Sequence, residues 1–188
     1  MISRSFYFIR HGQSVANAEG YPAGRLDSPL TSQGLREAQA VREIARRLNP
    51  PPQRIVTSTL SRARDTAAII NQDIGLPVTV DEDLCEQDYG AYQGRPKEEM
   101  RAVHGTFWYA APPGGERYAD FQARIRDAVD RAVAAGPMPL IVGHGGMIMA
   151  LSYEEGAPPE TLFKVGNCAV LRADYAAGDG RWIFAHIE

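Results

Sequence analysis

Lysine is nearly missing from this chain: Lys97 and Lys164 are its only two, so almost all of its positive charge is arginine. Arginine is the better side chain for bidentate recognition of phosphate or carboxylate, but genome composition produces the same bias, so the excess only permits such a role. Cysteine is scarce too. Cys85 and Cys168 are too few for a disulfide framework and have no metal-ligand spacing. Arginines interrupt every apolar segment before it reaches the length of a membrane span, and "MISRSFYFIRHG" has too short an apolar run for a signal peptide. These absences lead us to expect a soluble, cytoplasmic protein without a membrane partner. A net charge of −3 gives no footprint for nucleic acid.

What is present is an ordinary globular composition, 44% hydrophobic and 23% charged over 188 residues. That is enough chain for one well-cored domain spanning 1–188, with a small lid or insertion around 87–115. Phe6–Ile9 reads as a buried strand. Thr31 or Ser32 can cap a helix with Leu35, Ala38, Val41, Ala45 and Leu48 on one face. "RIVTS" is a second strand, followed by a helix from about Ser61 to near Gly75, and "LPVTV" a third. Residues 86–115 read as irregular. A helical pattern resumes from Tyr118, "MPLIVGH" is a fourth strand, and "GGMIMALSYEEG" a helix. Two final strands are joined by a Gly-Asp-Gly turn. Alternating strands and helices predict an α/β sandwich around a largely parallel sheet, with an antiparallel element near the end.

Ligands of such sheets bind at the carboxyl ends of the strands. Arg10-His11-Gly12 ends the first strand, "TSTLSRARDTA" follows the second and Gly143-His144-Gly145-Gly146 ends the fourth. If Arg10, His11, Arg62 and His144 converge, they form an anion pocket. Helices starting near Ser61 and after His144 would add backbone N–H groups. Phosphate is the natural guest. A neutral imidazole can attack phosphorus, and neighbouring arginine charge disfavours protonation of His11. The leaving alkoxide needs a proton, for which Glu86 is the best-placed carboxylic acid, with Glu82, Asp83 and Asp88 close by. This chemistry calls for no metal and no other cofactor.

The motifs resemble those of the histidine phosphatase superfamily, in the branch that includes the cofactor-dependent phosphoglycerate mutases. "RHGQSVAN", "DSPLTSQGLREA", "STLSRARDTA", "EQDYGAYQG" and "VGHGG" occur in the family's order and cover essentially the whole chain. The resemblance implies a three-layer α/β/α sandwich with a six-stranded, mostly parallel sheet. It implies His11 as the phosphorylated nucleophile and Glu86 as the proton donor. It further implies that Arg10, Arg62 and His144 hold the phosphoryl group and that Asn17 contributes a contact, while Gly12 would leave it space. Phosphoglycerate mutases characteristically read Glu-Arg-His-Tyr-Gly at the acid loop, where this chain has Glu86-Gln87-Asp88-Tyr89-Gly90. Lys97 does match a mutase lysine, but the short segment from Gly94 to Gly114 leaves little material to enclose a second phosphate. The expectation is therefore a phosphatase acting on a small-molecule phosphomonoester, with mutase-type phosphoryl transfer as the alternative.

Other chemistries fit less well. Asp81-x-Asp83 after a strand is similar to aspartate-nucleophile, magnesium-dependent phosphatases, but Cys85 and the scarcity of lysine depart from that pattern. A cysteine phosphatase needs arginine six residues after its cysteine, where this chain has Ala91 and Asp174. The histidines are not at zinc-ligand spacings. An inactive phospho-ligand module would not require both His11 and Glu86. His104 and His186 have no motif partners, Glu116 and Arg117 read as a helix start, and Tyr92, Phe107, Trp108 and Tyr109 suit either a pocket wall or lid packing. The sequence leaves the oligomeric state open, a homodimer being one option.

Overall fold

The apolar run near the start of the chain becomes β1 (Ser5–Arg10) in a computed structural model that describes residues 4–104, 112–152 and 165–188. Phe6, Tyr7, Phe8 and Ile9 are all at most 1% exposed, because β1 lies inside the sheet with a helical layer on each face. Side chains of a strand alternate between faces. Phe6 and Phe8 accordingly join one core with Phe121, Ile125, Ile148 and Leu151, while Tyr7 and Ile9 join the other with Val41, Ala45, Ala67 and Ile70. Burying each such large apolar side chain contributes about 1.5–3 kcal/mol, which makes β1 a stiff mount for whatever follows it.

The remaining strands are β2 (Ile55–Thr57), β3 (Val78–Val80), β4 (Leu140–Gly143), β5 (Val170–Ala176) and β6 (Arg181–Ile187). Their order across the sheet is β3-β2-β4-β1-β5-β6. The β3–β2, β2–β4 and β4–β1 pairs are parallel, and β5 runs antiparallel to both its neighbours. β5 is thus the one strand against the common direction, and the sheet is mostly parallel, as expected. In the β1–β4 pair Arg10 stands opposite Gly143, and His11 N continues the ladder by donating to Gly143 O at 2.9 Å.

The helices are α1 (Val15–Glu19), α2 (Ser32–Ala45), α3 (Ser61–Asn71), α4 (Lys97–His104), α5 (Tyr118–Ala134) and α6 (Gly145–Ser152). α2 and α3 cover one face of the sheet, α5 and α6 the other, which completes a three-layer α/β/α sandwich. Thr31 caps α2, its hydroxyl accepting from Gly34 N.

The structure departs from the sequence reading in several places. Leu35 is 43% exposed, because Gly34 takes the inward position at the start of α2 and packs backbone against backbone on Gln13. α3 ends at Asn71, whose side chain accepts from Leu76 N and donates to Leu76 O, closing the turn to β3. The stretch expected to be irregular contains α4, anchored by the buried Met100. Phe107, Trp108 and Tyr109, and the helix expected beyond Ser152, lie outside the described residues. Among the described residues no helix is long and apolar enough to cross a membrane.

Candidate active site

Three strand ends deliver the candidate residues to one place. Arg10 is the last residue of β1 and His11 follows it; His144 follows β4; Ser58 follows β2, with Arg62 in the first turn of α3. The His11 and His144 rings stand 5.2 Å apart between centroids, with their planes inclined by 59°. Both are buried, and so is Arg62.

Hydrogen bonds assign the two imidazoles different duties. His11 Nδ1 lies 2.7 Å from Gly12 O, and a carbonyl only accepts, so Nδ1 carries the proton. Nε2 is left with its lone pair. Burial is the main cause that pulls the His11 pKa down to about 3, with Arg62 and then Arg10 adding to it against the Gly12 hydrogen bond. The ring is therefore neutral at pH 7, as expected, although desolvation outweighs the arginine charge. His144 Nε2 lies 2.8 Å from Ser58 Oγ, while its buried Nδ1 has no hydrogen-bond partner among the described residues. Burial, then Arg62, His11 and Arg10, hold His144 well below the ordinary histidine pKa.

The two arginines are partly committed to the protein. Arg62 donates to Gly24 O at 2.8 Å and to Leu26 O at 3.0 Å, tying the 21–27 loop to the site. Arg10 donates through NH1 to Val165 O at 2.5 Å, and its buried Nε has no hydrogen-bond partner among the described residues. The guanidinium lies over Gly145, whose absent Cβ would touch Arg10 Nε at 3.4 Å.

Glu86 reaches the same end of the sheet from the loop after β3. Oε1 accepts from Gln87 N and Oε2 from Gly146 N, each at 3.0 Å. At each of the two helix starts expected to offer N–H groups to an anion, one such group is already taken by the chain's own carboxylate. Gly146 N is engaged by Glu86, and Ser61 N donates to Asp27 Oδ1 at 2.8 Å. A helix N-terminus favours any carboxylate, and the chain supplies its own at both.

Gly12 has a packing reason that spacing did not reveal: a Cβ there would meet Gly34 O at 2.4 Å. Its N–H donates to Thr66 Oγ1 at 3.1 Å. Asn17 is exposed in α1, and its Oδ1 accepts from Ser14 N, Ser14 Oγ and Asn167 Nδ2. Asn167 Nδ2 also donates to His11 O at 2.9 Å, so it links Asn17 to the candidate nucleophile. Cys168, next in the chain, holds φ 53 while its N–H donates to Arg10 O.

Sequence reasoning did not single out Ser58, Asp27, Asn167, or the pairing of Glu116 with Arg124. Each acts through hydrogen bonds or an ion pair to residues outside its own element, which leave no periodic trace. Tyr89 belongs with them: burial and Glu86 raise its phenol well above the ordinary pKa, against the charges of Arg62 and Arg10. Asp81 and Asp83, the alternative aspartates, are both ion-paired with Arg131, at 3.0 and 2.7 Å. Among the described residues no group of three or more His, Cys, Asp or Glu is arranged to hold a metal ion.

The chain matches the sequence pattern of the histidine phosphatase superfamily (branch 1) over residues 6–187. It is 35% identical over 183 residues to the Yersinia enterocolitica protein named "Probable phosphoglycerate mutase GpmB", covering 90% of this chain and 84% of that one. Among solved structures it resembles a mycobacterial glucosyl-3-phosphoglycerate phosphatase, with a TM-score of 0.83, 30% identity and 98% of each chain covered. It also resembles YhfR of Bacillus stearothermophilus, with a TM-score of 0.80, 30% identity, and 97% and 95% of the two chains covered. With that match over nearly its whole length, the chain belongs to branch 1 of the histidine phosphatase superfamily.

Proposed function

We propose that the protein hydrolyses a small-molecule phosphomonoester through a phosphohistidine on His11, with Glu86 as general acid and then general base. One observation carries this reading. Among the described residues the cluster has open hydrogen-bonding capacity of complementary kinds: the lone pair on His11 Nε2, and the buried Nδ1 of His144 and Nε of Arg10. Buried polar atoms rarely stay unpartnered, and a phosphoryl group would engage both. For His144 this requires that Ser58 donate its hydroxyl proton to Nε2, so that Nδ1 carries an N–H towards a phosphoryl oxygen.

In the first step the lone pair on His11 Nε2 forms the N–P bond as the P–O ester bond breaks. The ester electrons leave on the alkoxide oxygen, which takes the proton of Glu86. In the second step the Glu86 carboxylate takes a proton from water, the water oxygen bonds to phosphorus, and the N–P electrons return to Nε2. Arg10, Arg62 and His144 stabilise the charge on the non-bridging oxygens in both steps, with Asn17 and the backbone at Gly12 at the edge of the cluster. The guanidinium groups supply the positive charge, so this route invokes no metal ion.

Relatives named as mutases raise the alternative of phosphoryl transfer between two positions of one substrate. Hydrolysis is favoured by Gln87, at the position where mutases characteristically carry arginine. It is 2% exposed, and its Nε2 donates to Glu116 O at 3.0 Å. It thus offers no charge to a substrate carboxylate.

A phosphate-release screen over metabolite monoesters, run in chelator beside a mutase assay and with His11→Ala as control, tests the reading. We expect release by the wild type, none above background by the variant, and an acid-labile phosphoenzyme after rapid quenching. Equal rates for wild type and variant would overturn it.

A further inference from the structure

The backbone of the acid loop is gripped by one side chain that the catalytic reading does not use. Arg124, on α5, donates through NH1 to Asp83 O at 2.6 Å and to Cys85 O at 3.0 Å. Its NH2 reaches Glu86 O at 3.5 Å, a long contact. The opposite edge of the guanidinium meets Glu116 in a parallel pair of bonds, Nε to Oε1 at 2.8 Å and NH2 to Oε2 at 2.7 Å. Glu116 in turn binds the far side of the same loop. Its N–H donates to Asp88 O at 2.9 Å, its carbonyl accepts from Gln87 Nε2, and Oε2 accepts from Asp88 N at 3.4 Å.

Residues 83–88 are therefore held from both sides by one ion pair whose side chains are only 14% and 15% exposed. The close fit of neighbouring glycines keeps the strap carrying Glu116 in place: a Cβ on Gly115 would meet Asp88 O at 2.5 Å, and one on Gly90 would meet Pro113 O at 2.3 Å. Only a planar fork can satisfy a carboxylate on one edge and two carbonyls on the other. The Glu86 carboxylate is pinned at its tip by Gly146 N, and the chain that carries it is pinned by Arg124.

We propose that Arg124, with Glu116 balancing its charge, is a positioning residue that sets how closely Glu86 approaches the leaving oxygen. The proposal rests on the assignment of Glu86 as general acid. A positioning defect weakens proton donation, and proton donation matters only where the leaving group is a poor one. A nitrophenolate departs without a proton, whereas an alkoxide does not.

The test compares kcat/KM for 4-nitrophenyl phosphate and for glycerol 2-phosphate in Arg124→Lys, Glu116→Gln and Glu86→Gln, with melting temperatures for each. Glu86→Gln is expected to lose about a hundredfold or more on the alkyl ester and far less on the aryl ester. Arg124→Lys and Glu116→Gln should show the same selectivity at a smaller loss, about tenfold on the alkyl ester. A purely structural role lowers both substrates together. Selective loss in Glu86→Gln with equal losses in the other two overturns the positioning role alone. Equal losses in Glu86→Gln overturn the acid assignment and the proposal with it. Glu116→Gln keeps the test decisive if Arg124→Lys fails to fold.

Discussion

Glu86 and Gly146 are joined by a hydrogen bond at the tip of α6 that only glycine permits. Oε2 accepts from Gly146 N at 3.0 Å, while a Cβ on Gly146 would stand 2.0 Å from Oε1. Gly146→Ala should therefore push the carboxylate away and lower kcat/KM for alkyl phosphates by about a hundredfold. Because alanine is the better helix former, the melting temperature should hold or rise. Activity close to wild type would separate Glu86 from the chemistry.

Ser58 is expected to select the tautomer of His144. Nitrogen-15 NMR of the wild type should find the proton on Nδ1 of His144, with Nε2 accepting from Ser58. Removing the hydroxyl in Ser58→Ala leaves a buried acceptor unpaired, which should cost about 1–3 kcal/mol of stability by urea unfolding. Freeing the tautomer should lower kcat/KM by about tenfold, or about 1.4 kcal/mol. A proton on Nε2 in the wild type would contradict the assignment.

Acid should weaken the fold through the site itself. An unfolded histidine takes up its proton near 6.5, whereas folded His11 does so only near about 3. Across that window the unfolded chain binds the extra proton, so stability is fully present above 6.5 and falls as the pH drops. At about 1.4 kcal/mol per unit, His11 alone should cost about 2 kcal/mol at pH 5. Buried His144, also held low, acts in the same direction. Urea unfolding at pH 7 and pH 5 should show this loss shrink by about 2 kcal/mol in His11→Asn. An unchanged loss would mean that His11 is not the buried neutral base described above.

Gly12 and Gly34 set the floor under the proposed nucleophile. A Cβ on Gly34 would stand 2.1 Å from Gln13 O, a clash of backbone that no side chain can relieve. Gly34→Ala should destabilise by about 1–3 kcal/mol and impair turnover together. Gly178, with nothing within 4 Å of its missing Cβ, is the matched control, and Gly178→Ala should stay within about 0.5 kcal/mol of wild type by thermal melting.

The legible parts of this protein are those with a period or a strand end. β1 announced itself by four consecutive apolar residues, and Arg10, His11 and His144 by their places at the ends of β1 and β4. α4 is not legible in the sequence because "KEEMRAVH" buries Met100 but leaves Val103 66% exposed, which is too little apolar repetition to stand out. Leu35 departs from its periodic place because a periodic pattern cannot reveal that the glycine beside it is needed for close approach. The grip of Arg124 on the acid loop and the bridge from Asn167 to His11 depend on loop paths across 39 and 156 residues of sequence separation. Only tertiary structure brings such groups together.

The pairing of Arg10 with Gly143 has a consequence for how such a site can diversify. His11 and His144 are each the next residue along neighbouring parallel strands, so their spacing is inherited from the pitch of the sheet, about 4.8 Å. That gauge is as invariant as the ladder itself. A different substrate cannot be accommodated by widening it, and any change in the preferred guest has to be made at the rim, in loops that the ladder does not govern.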